Sequence, residues 1–565
     1  MENNKVVSKS HPLSIKIGHN FIVYFSIFGL TFGGQCAKLM AAEKVQDFKY
    51  WADLCGSLAA TGKYEEALKA CDQALGLNPN DPALWSERGD VLLVQRQYEE
   101  AVASYDRSLR LQPANSQVLT NRCQALSELG KHNDAVQTCE TALKSDANWG
   151  KNSPPAAWYY RGEALAKLGK FSEALVAYDW AIQLKPDYSL AFAGQCVVLW
   201  QQGKSYEALD ACDRALQINA NWGTGTAAIA WLNRAQILTK LMRYEEAITA
   251  YDRALAIEPK NADAWTQHGI LLGIIGRHPD AANSYQWALK VNPKYSLALV
   301  NQCATLNRLN MYKEALEACD KSIQEGDGKW GEFGLAYAWN QRGTAQTGLG
   351  NFEEALASAN RAIGLEANYA DAWSNRSGIL WRLGRYQDAL ASSQQAIAIN
   401  PNSSKAWFNQ GRILTTLGQH EDAVAAYERG LRGDANVGDS PTLADLWVNQ
   451  SAALWRLQRY ESAIEAADRA LGINPNLAQA CYNRGLALMS LKRYEEAVTT
   501  YNRALKIDGK NADFWAGKGI ALRFLEKYPD SLLALNEALK LNPSHPQALQ
   551  NREFVQRKLV APPAR

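Results

Sequence analysis

Eight of the ten cysteines stand in four pairs sixteen residues apart: Cys55 with Cys71, Cys123 with Cys139, Cys196 with Cys212, and Cys303 with Cys319. Thiols at a fixed spacing can form disulfides, hold a metal or pack as small apolar groups. Nothing supports a metal, since no C-x-x-C, H-E-x-x-H or EF-hand spacing occurs. Elsewhere in the chain the same two slots hold Gly and Tyr (Gly89 with Tyr105, Gly162 with Tyr178, Gly485 with Tyr501), Ser377 with Ser393, or Ser451 with Ala467. Trading tiny-plus-large for medium-plus-medium implies two sites that touch and share one volume. Because Ser377 and Ser393 cannot bridge, packed reduced thiols are favoured over a disulfide within each unit.

Other chemistry is sparse. Three of the seven histidines (His132, His278, His420) occupy a slot otherwise held by Tyr and read as packing residues. Gly203-Lys204-Ser205 spells the end of a phosphate-binding loop, but Val198 stands where its first glycine belongs. No catalytic constellation, cofactor motif or small-molecule site is legible, and the chain is not expected to be an enzyme. Sixty Lys plus Arg against 58 Asp plus Glu leaves a net charge of +2 without long runs of one sign, which excludes a nucleic-acid track.

What positions these residues is a repeat. Variants of Tyr-Glu-Glu-Ala recur, and their alanine, or serine in the last case, falls at 67, 101, 135, 174, 208, 247, 281, 315, 355, 389, 423, 463, 497 and 531. Offsets below are counted from this reference residue. Offset −16 is Trp in ten of the fourteen units, and +12 is Pro in eight. Apolar residues recur at three and four between these points, so each unit predicts two amphipathic helices around a short turn. The 34-residue period with W-x-x-x-G, a central Ala and a closing Pro resembles the tetratricopeptide repeat. That resemblance implies an all-α solenoid of fourteen stacked hairpins over 43–544, a right-handed superhelix with first helices on the concave wall.

Four successive gaps are longer than 34, and inserts near 145–154, 218–227, 325–335 and 433–441 account for them. Each lacks the closing Pro, and two restart a helix through Ser153-Pro154 and Ser440-Pro441. Trp149, Trp222 and Trp330 within them are read as plugs between spread units rather than exposed contacts.

The ends differ in character. Residues 1–42 include a stretch from Ile17 to Ala37 without Asp, Glu, Lys or Arg, preceded by Lys5, Lys9 and Lys16. It reads as a signal or membrane anchor, with an upstream extension ahead of Met40 as the alternative, so the compartment is either membrane-associated or exported, or cytoplasmic. Residues 545–565 read as a polar capping helix and tail.

Function must come from surface. Offset −14 carries a ladder of carboxamides, Asn233, Gln267, Asn301, Gln341, Asn375, Asn409, Asn449 and Asn483, on the face that the resemblance makes a groove. Such groups could pair with the main chain of an extended peptide, or serve neighbouring repeats instead. Trp200, Trp381 and Trp455 at −8, with Arg308, Arg382 and Arg456 at −7, could seat peptides or acidic tails. The expected role is an adaptor for extended segments of other proteins. A self-associating scaffold held at a membrane is the alternative.

Overall fold

In a computed structural model, residues 47–145, 154–220, 222, 226–331, 334–436 and 442–560 are described. They form helices and turns, with no strand among the described residues. In chain order there are fourteen first-helix and second-helix pairs and a closing helix, Pro546–Val560. The chain divides into two compact units at Lys204 and Ser205, in the turn after the fifth first helix.

Local chemistry sets each helix boundary. First helices begin at side-chain caps where the sequence supplies them: Asp81 accepts from the Leu84 N–H at 2.9 Å, and Asn261 accepts from the Ala264 N–H at 2.9 Å. All second helices but Ser205–Ile218 open on an aromatic residue or His, with acids in the first turn such as Glu99 and Glu100, which suits the positive helix end. The turn between the two is closed at offset −5 by a left-handed residue in all fourteen repeats. Eight of these are glycine, and the other six are Arg96, Met242, Asn310, Gln458, Lys492 and Glu526.

Every reference residue from Ala67 to Ser531 has no exposed surface. A side chain this small lets the two helices of a hairpin approach, and the large residues then fill the space between hairpins. In five hairpins the tryptophan at −16 ties the hairpin to the corner before it. Trp85, Trp265, Trp373, Trp407 and Trp515 donate their indole N–H to the carbonyl six residues earlier, at 2.8–3.0 Å. Within each unit most first helices touch the next first helix along the row, while second helices do not pack on one another among the described residues. The first-helix row is therefore the tighter, inner side of each unit.

Slots −12 and +4 face one another as the volume exchange predicted. A Cβ added at Gly89, Gly162 or Gly485 would lie 2.5–2.8 Å from the ring of Tyr105, Tyr178 or Tyr501. Where both slots hold cysteine, the expectation of reduced packing is corrected: Cys55–Cys71, Cys123–Cys139 and Cys303–Cys319 are disulfides, with Cα–Cα separations of 5.1, 5.5 and 5.4 Å. The spacing that suits a glycine against a tyrosine ring is also the spacing a disulfide spans. The serine pair, which weighed against bridging, turns inward: Ser377 and Ser393 each donate to a carbonyl of their own helix, Ser374 and Leu390, at 2.7 Å.

Two inserts fold alike. Asp327 and Asp434 each follow a glycine, and each accepts at 3.1 Å from the N–H of a serine, Ser296 or Ser404, that opens the first helix of its own repeat. The same serine hydroxyls accept from the Gly328 and Ala435 N–H groups at 3.0 Å. Of the insert tryptophans, Trp222 and Trp330 are half-buried, and Trp222 donates to Asn219 inside its own insert at 3.1 Å. Trp149, Ser153, Ser440 and Pro441 lie outside the described residues. Past the last insert the helix Leu443–Arg456 starts at Thr442, whose N–H donates to the Asp445 carboxylate at 2.6 Å.

The expected leader, 1–42, also lies outside the described residues. Among the described residues no helix is long and apolar enough to cross a membrane. The closing helix buries Ala548 and Val555, and His545 accepts at its start from the Ala548 N–H at 3.3 Å.

Candidate functional site

The carboxamide ladder is largely turned into the scaffold. Asn409 and Asn483, both buried, donate to the carbonyls of Ser374 and Val448 on the preceding first helix at 2.8 and 3.0 Å. Asn375 donates to Asn340 Oδ1 at 2.7 Å, and Gln341 accepts from Asn307 at 3.3 Å. Asn301 and Asn449 donate back to carbonyls one turn earlier, Leu297 and Asp445, at 2.8 and 2.7 Å. Asn233 and Gln267 are half-buried. These amides stitch hairpins or their own helices, because offset −14 faces the neighbouring first helix closely enough for a direct bond.

The tryptophans and arginines of the inner row are arranged differently. Trp381 and Trp455 are half-buried, and their indole N–H groups reach Thr416 and Ser490 on the next first helix, at 2.9 and 3.1 Å. Arg412, at −11, lies over the Trp381 ring at 3.8 Å. Arg382 is exposed and stands 5.7 Å from the Phe352 ring, and exposed Arg456 covers Trp455 at 5.2 Å. Arg308 is exposed as well. Burial first, then the charge of Arg382, holds the Arg412 guanidinium pKa below its usual range. Trp200 is half-buried on the first unit, apart in sequence from the rest of this set.

Sequence reasoning missed a second regular feature. The residue at −13 reaches back to the +5 side chain of the preceding repeat and across to the +3 hydroxyl of its own. Arg88 donates to Asp72 and Ser104, both at 2.8 Å. Arg122 does so to Asp106 and Thr138, Arg342 to Asp320 and Ser358, and Arg484 to Asp468 and Thr500, at 2.7–2.9 Å. Two of these arginines also lie over the −16 tryptophan of their repeat, Arg88 over Trp85 at 6.0 Å and Arg342 over Trp339 at 5.4 Å. In one repeat His268 takes this place, 3.0 Å from Ser284 and 3.2 Å from Asp252. Hollows open above these latches, at Asp72, Trp85 and Arg88, at Asp213, Trp231 and Arg234, and at Asp252, Trp265 and His268. Their polar groups are engaged in holding hairpins together. The co-occurrence of Arg at −13, an acid at +5 and Ser or Thr at +3 was visible in the sequence.

The two units line their inner rows with opposite charge. At offsets −14, −11 and −7 the first unit carries Asp53, Glu87, Asp90, Glu128 and Glu163, with Lys167 as the one cation. Tyr159, Tyr160, Tyr178 and Tyr188 surround Glu163, whose carboxyl is pushed up to about 7 by burial and then by the charge of Glu128. In the second unit the first helices bear carboxylates only in their first turn, at Asp263, Asp371, Asp445 and Asp513. Deeper in the row stand Lys240, Arg308, Arg382, Arg412, Arg456 and Arg523.

Comparison with known proteins agrees with this architecture. Models described as tetratricopeptide repeat match residues 57–116, 155–188, 228–261, 267–329, 340–404, 380–438, 444–477 and 478–511, more than half of the chain. Among curated proteins, the chain is 31% identical over 110 residues to the protein CTR9 homolog of Arabidopsis thaliana, which is 20% of this chain and 10% of that protein. It is 27% identical over 101 residues to the protein STIP1 homolog of Dictyostelium discoideum, 18% of this chain and 17% of that one. The chain thus spans less than a fifth of either relative. Among solved structures, Cut9 with Hcn1 of the APC/C matches with a TM-score of 0.43 at 16% identity, over 90% of this chain and 96% of that one. YrrB, titled a TPR protein with an unusual peptide-binding site, matches with a TM-score of 0.30 at 21% identity, over 34% of this chain and 97% of that one. With repeat models covering most of the helical pairs, the chain belongs to the tetratricopeptide repeat family.

Proposed function

We propose that the protein is a binding scaffold that holds extended segments of partner proteins along the first-helix row of its second unit. One observation carries this reading: Trp381, Trp455, Arg382 and Arg456 keep accessible surface on that row, while the amides beside them are spent on the scaffold. Aromatic and guanidinium groups are the side chains that most often carry binding energy at protein interfaces. Gly378 and Ala452 occupy −11 on either side of Arg412 and leave room on the row; a Cβ at Gly378 would meet nothing closer than Asn409 Nδ2 at 3.6 Å.

The test is a block placed in that room. Peptide-array binding by the full chain should be lost in Gly378→Trp with Ala452→Trp while helix content stays unchanged. Retained binding in a folded double variant would refute the site. Truncating Asn375 or Asn409 is a poorer probe, because those side chains hold hairpins together.

A second reading, self-association, has its own observation. Val176, Trp180 and Leu184 form an exposed stripe along one second helix of the first unit, 53%, 44% and 48% accessible. If that stripe joins copies, light scattering should show a concentration-dependent dimer that Val176→Glu abolishes. A monomer at all concentrations would end this reading.

A further inference from the structure

The cationic inner row of the second unit sets a condition on what it binds. Nine consecutive first helices, from Ala228–Lys240 to Ala512–Phe524, place no Asp or Glu beyond their first turn. Against this background Arg412 lies over the Trp381 indole within reach of the charge of Arg382, the residue next to Trp381, whose guanidinium stands 5.7 Å from the Phe352 ring. Arg412 stacks on Trp381 at 3.8 Å and is largely withdrawn from water, and no ion pair of either arginine with a carboxylate is found among the described residues. Four latch arginines are handled differently. The buried faces of Arg88, Arg122, Arg342 and Arg484 are each matched by an acid of the preceding repeat. Withdrawing a guanidinium from water beside a like charge is unfavourable unless a counter-charge arrives from outside. The lowered pKa of Arg412 has this same origin.

We propose that the first-helix row of the second unit selects acidic extended segments, with a carboxylate side chain of the partner seated between Arg382 and Arg412 at the edge of Trp381. Arg456 with Trp455 forms the corresponding station two repeats further on. The inference rests on the peptide-binding reading above and adds the chemical class of the peptide. Guanidinium forks suit carboxylates because two parallel N–H groups meet two oxygens. A nucleic acid would satisfy the charge but needs aromatic faces for its bases. Trp381 already gives one face to Arg412 and its N–H to Thr416. The first unit, with Asp90, Glu128 and Glu163 at the equivalent offsets, would repel the same ligand.

The experiment uses the full chain and labelled oligoglutamate, oligoglutamine and oligolysine peptides of equal length, with oligouridylate as a fourth probe, followed by fluorescence anisotropy at low and raised salt. Oligoglutamate should bind best, weaken with salt, and lose affinity by about tenfold or more in Arg382→Gln with Arg412→Gln. Arg412→Lys, which keeps the charge, should retain part of the binding. Arg361→Gln, on an exposed second-helix site, should change nothing. Hydrogen exchange across Ala370–Thr416 confirms that each variant is folded. Oligoglutamate binding that survives the double variant overturns the proposal, as does tighter binding of oligouridylate. If oligoglutamine and oligolysine bind as well as oligoglutamate and all are lost in Gly378→Trp with Ala452→Trp, the acidic selection fails and the peptide site stands. If no peptide binds, both fail.

Discussion

The two units are built from one hairpin, yet they differ in what they hold beneath their inner rows. The first is acidic and rich in tyrosine, and two of its four complete hairpins are closed by disulfides, Cys55–Cys71 and Cys123–Cys139. The second is cationic, and Cys303–Cys319 is the one bridge wholly within it among the described residues. Five of the six non-glycine residues forced into the left-handed turn also belong to the second unit. The difference teaches that the repeat fixes geometry at a handful of offsets and leaves the inner-row offsets available for chemistry. Stability and recognition are therefore written at different positions of the same unit.

The largest effect should come from reductant. Each bridge closes a loop of sixteen residues in sequence separation, worth about 3 kcal/mol. Dithiothreitol should thus lower hydrogen-exchange protection more in the first unit than in the second. Equal loss in both, or free thiols on alkylation of the native denatured chain, would erase this side of the contrast.

Glu163 supplies the next. Its carboxyl holds a proton up to about 7 when folded, against an ordinary 4.5, so the native state keeps a proton that the unfolded state has released. Stability of the first unit should fall as pH rises through that window. Glu163→Gln should recover about 2 kcal/mol at neutral pH and above and nothing in acid. A gain that does not depend on pH would contradict the assignment.

His268 gives the second unit the opposite slope. Burial lowers its pKa from 6.5 against the pull of Asp252, so its contribution is present above that value and lost as pH falls below it. His268→Arg, restoring the latch used by other repeats, should flatten the response in acid. An unchanged acid profile by circular dichroism would remove His268 from the account.

The smallest effect lies in the turns. Lys492→Gly and Glu526→Gly should each stabilise the second unit by up to about 1 kcal/mol, since only glycine enters the left-handed region without steric cost. Destabilisation by either change would mean that their side chains contribute more than the turn costs.

Much of this fold was legible from spacing alone. The buried reference residue, the −16 tryptophan and the facing −12 and +4 slots each follow from one residue type at one offset, and the structure realises them at every repeat where the pattern is complete. Contacts between repeats were harder to read. The −13 latch depends on three residue types in two repeats at once, and the eye scanning one column sees only a mixture of Arg, Gln, His, Lys and one Leu. The carboxamide column left two readings open for a related reason: Asn409 and Asn483 have the composition of a binding ladder, but the preceding first helix is close enough to take their hydrogen bonds. The disulfides were misjudged because serine occupies the same slots in one repeat, which bears on that repeat alone.

The aspartate pegs at 327 and 434 return to the start of the hairpin from which they leave, so each of these long corners finishes its own bonding before the following hairpin begins. A corner of this kind is a portable cassette. Evolution or an engineer could splice it after another hairpin, or lengthen the chain by duplicating whole modules on either side, without retuning the junctions already in place.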